Sequence, residues 1–282
     1  MVKHNIRYIV DIYMVEDIRI KYLDFSNLKG VTASTTIYND HQYPKHFHDH
    51  FTVQWVEFGI NDGFTESHTY KIGCESVLII NPGELHAGRS LEKKPLKFHS
   101  IRIEPDFFSS FCQKNEINLN SDIRFRNHPL VDPVLQSKVS SFVFLLNMSR
   151  THEAESMLTE WLTELIVKQT SLDIKFSNQS TKKLTSVREF IYDNFQKNLT
   201  LDQMAEISCL SPFYFSRQFK NQYGLTPFQY LRNVRVEKAK EVLKAKSISQ
   251  TALEVGFFDH SHFLRNFKKI EGTTPSQYRS TK

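Results

Sequence analysis

No run of apolar residues approaches the ~20 that a helix needs to cross a bilayer. The densest stretches, Val77–Ile80 and Phe142–Leu146, are far shorter. An uninterrupted apolar leader is also missing, because Lys3, Arg7, Asp11, Glu16 and Asp17 break up the first twenty residues. A cytoplasmic protein that does not enter a membrane is therefore expected. Cysteines are few: Cys74, Cys112 and Cys209 are scattered, odd in number and form no CxxC pair. That excludes a disulfide framework and a thiolate metal knot, and leaves each as a small buried hydrophobe. Only 9 glycines occur in 282 residues, few for a chain built wholly of short strands. With 40% hydrophobic and 24% charged residues, disordered and collagen-like classes are out. The length suggests two domains.

What charge there is lies unevenly. Residues 1–180 hold 19 Lys and Arg against 22 Asp and Glu, whereas residues 181–282 hold 17 against 9. The basic excess belongs to the last hundred residues and points to a polyanion partner for that part alone.

The first half reads as strands followed by helices. Thr32–Tyr38, Phe51–Phe58, Ser67–Ile72, Ser76–Ile80 and Lys97–Ile103 are rich in β-branched and aromatic residues. Asn61-Asp62-Gly63, Ile72-Gly73, Asn81-Pro82-Gly83 and Glu104-Pro105 punctuate them, as in a small barrel or sandwich. From Asp132 the period becomes helical, through Val134, Leu135, Val139, Phe142, Val143 and Leu146, then Leu158, Trp161, Leu162, Leu165 and Ile166. Ser171–Lys182 is polar and reads as a linker.

The last hundred residues are helical and repeat. Phe215, Arg217, Phe219, Lys220, Gly224, Thr226, Pro227, Gln229 and Tyr230 return 48 residues later as Phe263, Arg265, Phe267, Lys268, Gly272, Thr274, Pro275, Gln277 and Tyr278. An internal duplication explains so many matches at one offset. Thr200–Gln203, Thr226–Gln229, Ser247–Gln250 and Thr274–Gln277 have capping-box spacing, and Asp259 is placed to cap a helix from His260. Each copy gives a short helix (Leu201–Ser208, Ile248–Val255), a tight turn and a longer helix (Pro212–Tyr223, His260–Ile270). The i, i+4 pairs Phe215/Phe219 and Phe263/Phe267 fill the core between them. That is helix-turn-helix construction, whose second helix can enter a DNA major groove. Arg217, Lys220, Arg265 and Lys268 point away from the Phe stripe, and Phe213, Ser216, His260, Ser261 and His262 sit on the first turns. These nine are the expected DNA contacts.

Ile248…Ala252…Gly256-Phe257…His262-Phe263…Arg265…Phe267-Lys268…Gly272…Thr274-Pro275…Tyr278-Arg279 resembles the signature of the AraC/XylS family of bacterial transcription regulators. Leu201…Ala205…Tyr214-Phe215-Ser216-Arg217…Phe219-Lys220…Pro227…Tyr230 resembles its first helix-turn-helix, so the likeness covers about 184–279. Two positions depart from it. Cys209 stands where glycine is common, and Thr251 where a larger aliphatic residue is common. The resemblance implies two such units joined by a long helix, here Phe228–Leu243, whose sixteen residues span ~24 Å. Successive major-groove faces lie about 34 Å apart.

In the first half His46, His48 and His50 alternate and would share one face of an extended strand, with His86 in the Pro82-Gly83-Glu84-Leu85-His86 turn and His99 beyond. The HxH pair with Glu57 or a further His is a conceivable metal set. The same residues, about 46–103, resemble the cupin-like sensing barrel of many AraC-family regulators, which commonly holds a small effector. Pocket residues, structural histidines and a metal site are the three readings, in that order. His46, His48, Trp55, His86 and Arg102 are accordingly the expected effector contacts; no metal, cofactor or catalytic residue is assigned. The resemblance further implies a homodimer through Leu158, Trp161, Leu162 and Leu165, and RNA polymerase as the target of activation.

The expectation is thus an α+β chain. Residues 1–171 form a cupin-like effector-binding and dimerisation barrel with trailing helices, 172–183 a linker, and 184–282 an all-α reader of double-stranded DNA. A barrel metalloenzyme with a nucleic-acid appendage and a barrel that only dimerises are the rivals.

Overall fold

The computed structural model describes residues 19–24, 28–65, 69–115, 117, 125, 129–169 and 179–280. By contact these fall into a strand-rich unit and a helical unit. The first part of the chain runs β1 (Arg19–Asp24), β2 (Val31–Tyr38), β3 (Gln42–His46), β4 (Phe51–Phe58), β5 (Asn61–Thr65), β6 (Thr69–Ile72), β7 (Ser76–Ile80), β8 (His86–Ser90), β9 (Leu96–Ile103), α1 (Pro105–Lys114), β10 (Leu130–Val131), α2 (Pro133–Asn147) and α3 (Thr151–Gln169); all of it belongs to the strand-rich unit except Tyr43–Phe47, which groups with the helical unit. One sheet has the order β1-β2-β9-β4-β7-β10, the other β3-β8-β5-β6.

Strand β4 is central and buried on both faces through its first six residues. Phe51, Val53 and Trp55 turn toward α1, α2 and α3, joining Phe108, Leu135, Phe142 and Trp161 in one apolar cluster. Thr52 and Gln54, on the opposite face by strand alternation, look into the barrel. Gln54 shows the direction: its Oε1 accepts from Asn61 Nδ2 of the other sheet at 3.1 Å.

Leu158, Trp161, Leu162 and Leu165 lie wholly inside this cluster. The expectation that they form a dimer interface is corrected, since α3 spends its apolar stripe on the sheet and on α2. Trp161, for example, packs 5.7 Å from Phe142. Helical spacing reveals a buried face but not whose surface buries it.

The helical unit runs α4 (Gln179–Asp193), α5 (Leu201–Ser208), α6 (Pro212–Tyr223), α7 (Pro227–Val242), α8 (Ile248–Glu254), α9 (His260–Glu271) and α10 (Pro275–Ser280). Helix α4 begins inside the stretch expected as linker; residues 170–178 lie outside the described residues. The expected hydroxyl caps form: Thr200, Thr226 and Ser247 each complete a capping box, and Asp259 Oδ1 accepts from the His262 N–H. Phe215, Phe219, Phe263 and Phe267 are fully buried, with matching 5.6 Å ring separations in the two pairs.

Candidate functional site

Burying the Phe pairs aims the opposite faces of α6 and α9 at solvent. Phe213, Arg217, Lys220, His260, Ser261, Arg265 and Lys268 are exposed, while Ser216 and His262 are half-buried. His262 is partly spent on its own unit, its ring standing edge-on to Phe257 at 5.4 Å. The second reader helix is fixed from behind by a buried ion-pair triad. Lys240 Nζ on α7 lies 2.5 Å from Glu237 and 2.5 Å from Glu271 at the end of α9. Charges this deep fix geometry because breaking the set strands a buried charge.

The two turns are built alike. The Leu210 N–H donates to Ala205 O at 3.2 Å, and the Phe257 N–H donates to Ala252 O at 2.9 Å. Cys209 and Gly256 both take left-handed backbone, with φ of 55° and 84°. Only the second must be glycine: a Cβ on Gly256 would fall 2.6 Å from Gln196 O. The loop it meets is held by Arg235, which donates to Phe195 O at 2.8 Å and Lys197 O at 2.9 Å. Cys209 is exposed and escapes that steric limit. Thr251 is fully buried, and its hydroxyl donates to Ser247 O at 2.9 Å, so the smaller residue leaves no orphaned polar group.

Between turn and cap the second copy carries one residue more, Phe258, which is 96% exposed beside the start of α9. Sequence reasoning took it as a turn residue and did not count it among the DNA contacts. The signal was present: Ala205 and Ala252 are 47 apart, whereas Phe215 and Phe263 are 48 apart.

In the barrel the expected effector residues separate. Trp55 is 2% exposed and faces the helices, stacked on His99 at 4.9 Å, so it does not line the barrel interior as expected. Arg102 does face inward, because it pairs across the sheet with Thr52, and its guanidinium sits 5.4 Å from the Tyr22 ring. Sequence reasoning missed Thr52, Gln54 and Asn61. The Thr52 Oγ1 and Asn61 Oδ1 atoms are buried and accept or donate no hydrogen bond among the described residues.

The histidines do not share a strand face, since β3 ends at His46 and residues 47–50 are not extended strand. They are nevertheless gathered. His48 stacks on His50 at 4.7 Å and tilts against His86 at 4.9 Å. Glu57 is not with them. Its carboxylate accepts from His99 Nε2 and Lys97 Nζ, both at 2.7 Å. Those two hydrogen bonds, His99's the stronger influence, hold Glu57 down to about 2 despite partial burial. The conceivable two-His/carboxylate set through Glu57 is therefore overturned.

Residues 28–162 match the AraC-like ligand binding domain family, and residues 204–281 match a helix-turn-helix domain family. The chain is 26% identical over 227 residues to YbfI of Bacillus subtilis (strain 168), an HTH-type transcriptional regulator, covering 78% of this chain and 81% of the relative. It is 25% identical over 247 residues to RhaS of Escherichia coli O81 (strain ED1a), an HTH-type transcriptional activator, covering 84% and 87%. An apo ToxT variant from Vibrio cholerae strain SCE256 superposes with a TM-score of 0.56 at 15% identity, over 94% of this chain and 96% of that one. That likeness carries the fold.

Proposed function

The chain belongs to the AraC/XylS family of transcription regulators, and from that premise we propose that it activates transcription as a homodimer responding to a small molecule. DNA binding belongs to the paired helix-turn-helix units, and ligand binding to the β-rich domain. Activation is the reading because RhaS is a transcriptional activator, which makes RNA polymerase the target. We assign residues 1–171 to sensing and dimerisation, residues 184–282 to DNA and the stretch between them to the linker, with no catalytic step. No helix among the described residues is long and apolar enough to cross a membrane. A cytoplasmic site of action fits a regulator of promoters.

The observation that carries the reading is the pair Arg217 and Arg265, exposed at matching positions of two equivalent helices. We place the effector inside the barrel, against Arg102 and the neutral polar groups of Thr52, Gln54 and Asn61, with His48 and His86 as further contacts. Since Leu158, Trp161, Leu162 and Leu165 are internal, we place the dimer contact on the outer surface of α2 and α3, where Val134, Phe144 and Val167 are exposed.

Selection of random duplex DNA by the full-length protein, with and without a small-molecule panel, tests this. The expected product is a site with two recognised segments about one helical turn apart. A cognate effector should shift its affinity about 5–150-fold, or raise transcription in vitro at constant affinity. Failure to enrich any sequence overturns the reading.

A further inference from the structure

We propose that Phe213 reads the C5-methyl group of a thymine in the major groove, so that the first helix-turn-helix recognises an apolar feature of the duplex and the second does not. This contact rests on the reading of α6 and α9 as DNA-binding helices, and it names what one of them takes from the base edges.

The duplication supplies its own comparison. Helix α6 carries Phe213, Arg217 and Lys220 at i, i+4 and i+7, and α9 carries Ser261, Arg265 and Lys268 at the matching places. All six are exposed, and residues so spaced lie along one stripe of a helix. The arginine and the lysine are the same in both copies, whereas the first residue changes from Phe to Ser. Phe213 is 80% exposed on the first turn of α6, directly after Pro212, and Ser261 is on the first turn of α9. The N-terminal residues of a recognition helix are the ones that meet base edges. Packing of α6 falls to Phe215 and Phe219, both fully buried, on the face opposite this stripe.

A phenyl ring has no donor or acceptor, so it cannot answer the N7, O6, N4 and N6 groups of the other base edges. The apolar feature of the major groove is the C5-methyl of thymine, and phenylalanine is one of the side chains that takes it up. Ser261 has a hydroxyl that donates and accepts, which suits polar edges instead. Arg217, one helical turn beyond Phe213, gives the same stripe its hold on a guanine edge or a phosphate. The excess of 17 Lys and Arg over 9 Asp and Glu in residues 181–282 draws the polyanion to it. Two readers alike in charge and different in their first contact require two unlike segments in the site, so one chain lies on its DNA in a single direction.

The test removes the methyl from the DNA rather than from the protein. Each thymine of the duplex site selected by the full-length protein is exchanged singly for deoxyuridine, which pairs identically and lacks the methyl. At one thymine the exchange should weaken wild-type binding about fourfold, the worth of burying one methyl-sized group. The same exchange should leave the affinity of Phe213→Ala unchanged. At that position wild type should bind 5-methylcytosine about fourfold more tightly than cytosine, and Phe213→Ala should bind both equally. A selected site without thymine, neutrality of every exchange in wild type, equal wild-type affinity for the two cytosines, or a cost that persists in Phe213→Ala overturns the methyl contact and leaves the DNA reading standing. Failure to bind any duplex overturns both.

Discussion

Alanine at Arg265, at Arg217 and at both measures how much sequence reading each helix-turn-helix carries. Neither guanidinium is ion-paired among the described residues, and both stand on the faces opposite fully buried Phe pairs. Removing them should change folding stability by less than about 0.5 kcal/mol, as exposed positions away from packing do. A loss of affinity will therefore not be a folding effect. A bidentate arginine contact to a base is worth ~1–3 kcal/mol, so each single variant should bind the selected site about 5–150-fold more weakly. Because α7 separates the two units by ~24 Å, the losses should add, to ~2–6 kcal/mol in the double variant. Fluorescence anisotropy at several salt concentrations, on the selected site and on single-base variants of it, distinguishes base from phosphate contact. A base contact relaxes preference at one position and leaves the salt slope alone. A phosphate contact weakens every sequence and lowers the slope by ~0.9. Affinities within twofold of wild type for both single variants would refute the assignment of these helices as the readers.

The other predictions use simpler assays. Phe258→Ser should weaken operator binding by roughly 1 kcal/mol, about fivefold, with an unchanged melting temperature; an altered melting temperature would make it a packing residue instead. Cys209→Gly should stabilise by about 0.5–1 kcal/mol, since it relieves ~1–2 kcal/mol of left-handed strain and gives back ~0.4–1 kcal/mol in unfolded-chain entropy. A lower melting temperature contradicts it. Glu57 has a lowered carboxyl pKa in the fold, so its contribution to stability is present above the ordinary value of 4.5 and is lost as pH falls toward about 2. Glu57→Gln should therefore flatten the acid limb of stability against pH in that window, and an unaltered limb would argue otherwise. Phe144→Glu with Val167→Glu should give a folded monomer by sedimentation; a persistent dimer moves the contact elsewhere.

The helical half was legible because its signals are local. A capping box joins residues three apart, and a duplicated i, i+4 Phe pair states both the helix and its buried face. The barrel was less so, because its strands answer to partners far along the chain. Asn61-Asp62-Gly63 has the chemistry of a turn, yet it lies in β5 paired with β6 and β8. Gly63 serves packing there, since a Cβ would fall 2.3 Å from the Tyr70 ring. Glu104-Pro105 was read as an interruption, but proline is equally at home on the first turn of a helix, and α1 begins at Pro105.

The same distinction decides the sites. Trp55 and Gln54 are neighbours on one buried strand, and alternation alone says that they face opposite ways without saying which way is inward. That needs the Gln54–Asn61 bond between sheets. The histidines show the converse: their spacing suggested a shared strand face that does not exist, while the backbone bond from Gly83 to His48 brings His48 to the turn before His86 by another route. For the DNA reader the missing information was one residue wide. A single 48-residue offset aligns the Phe stripes but hides the insertion. Aligning the first helices on Ala205 and Ala252 as well exposes Phe258 as the residue the second turn has gained. That side chain is 96% exposed beside the start of α9, so a helix that reads DNA would carry it toward the duplex, which is what Phe258→Ser tests.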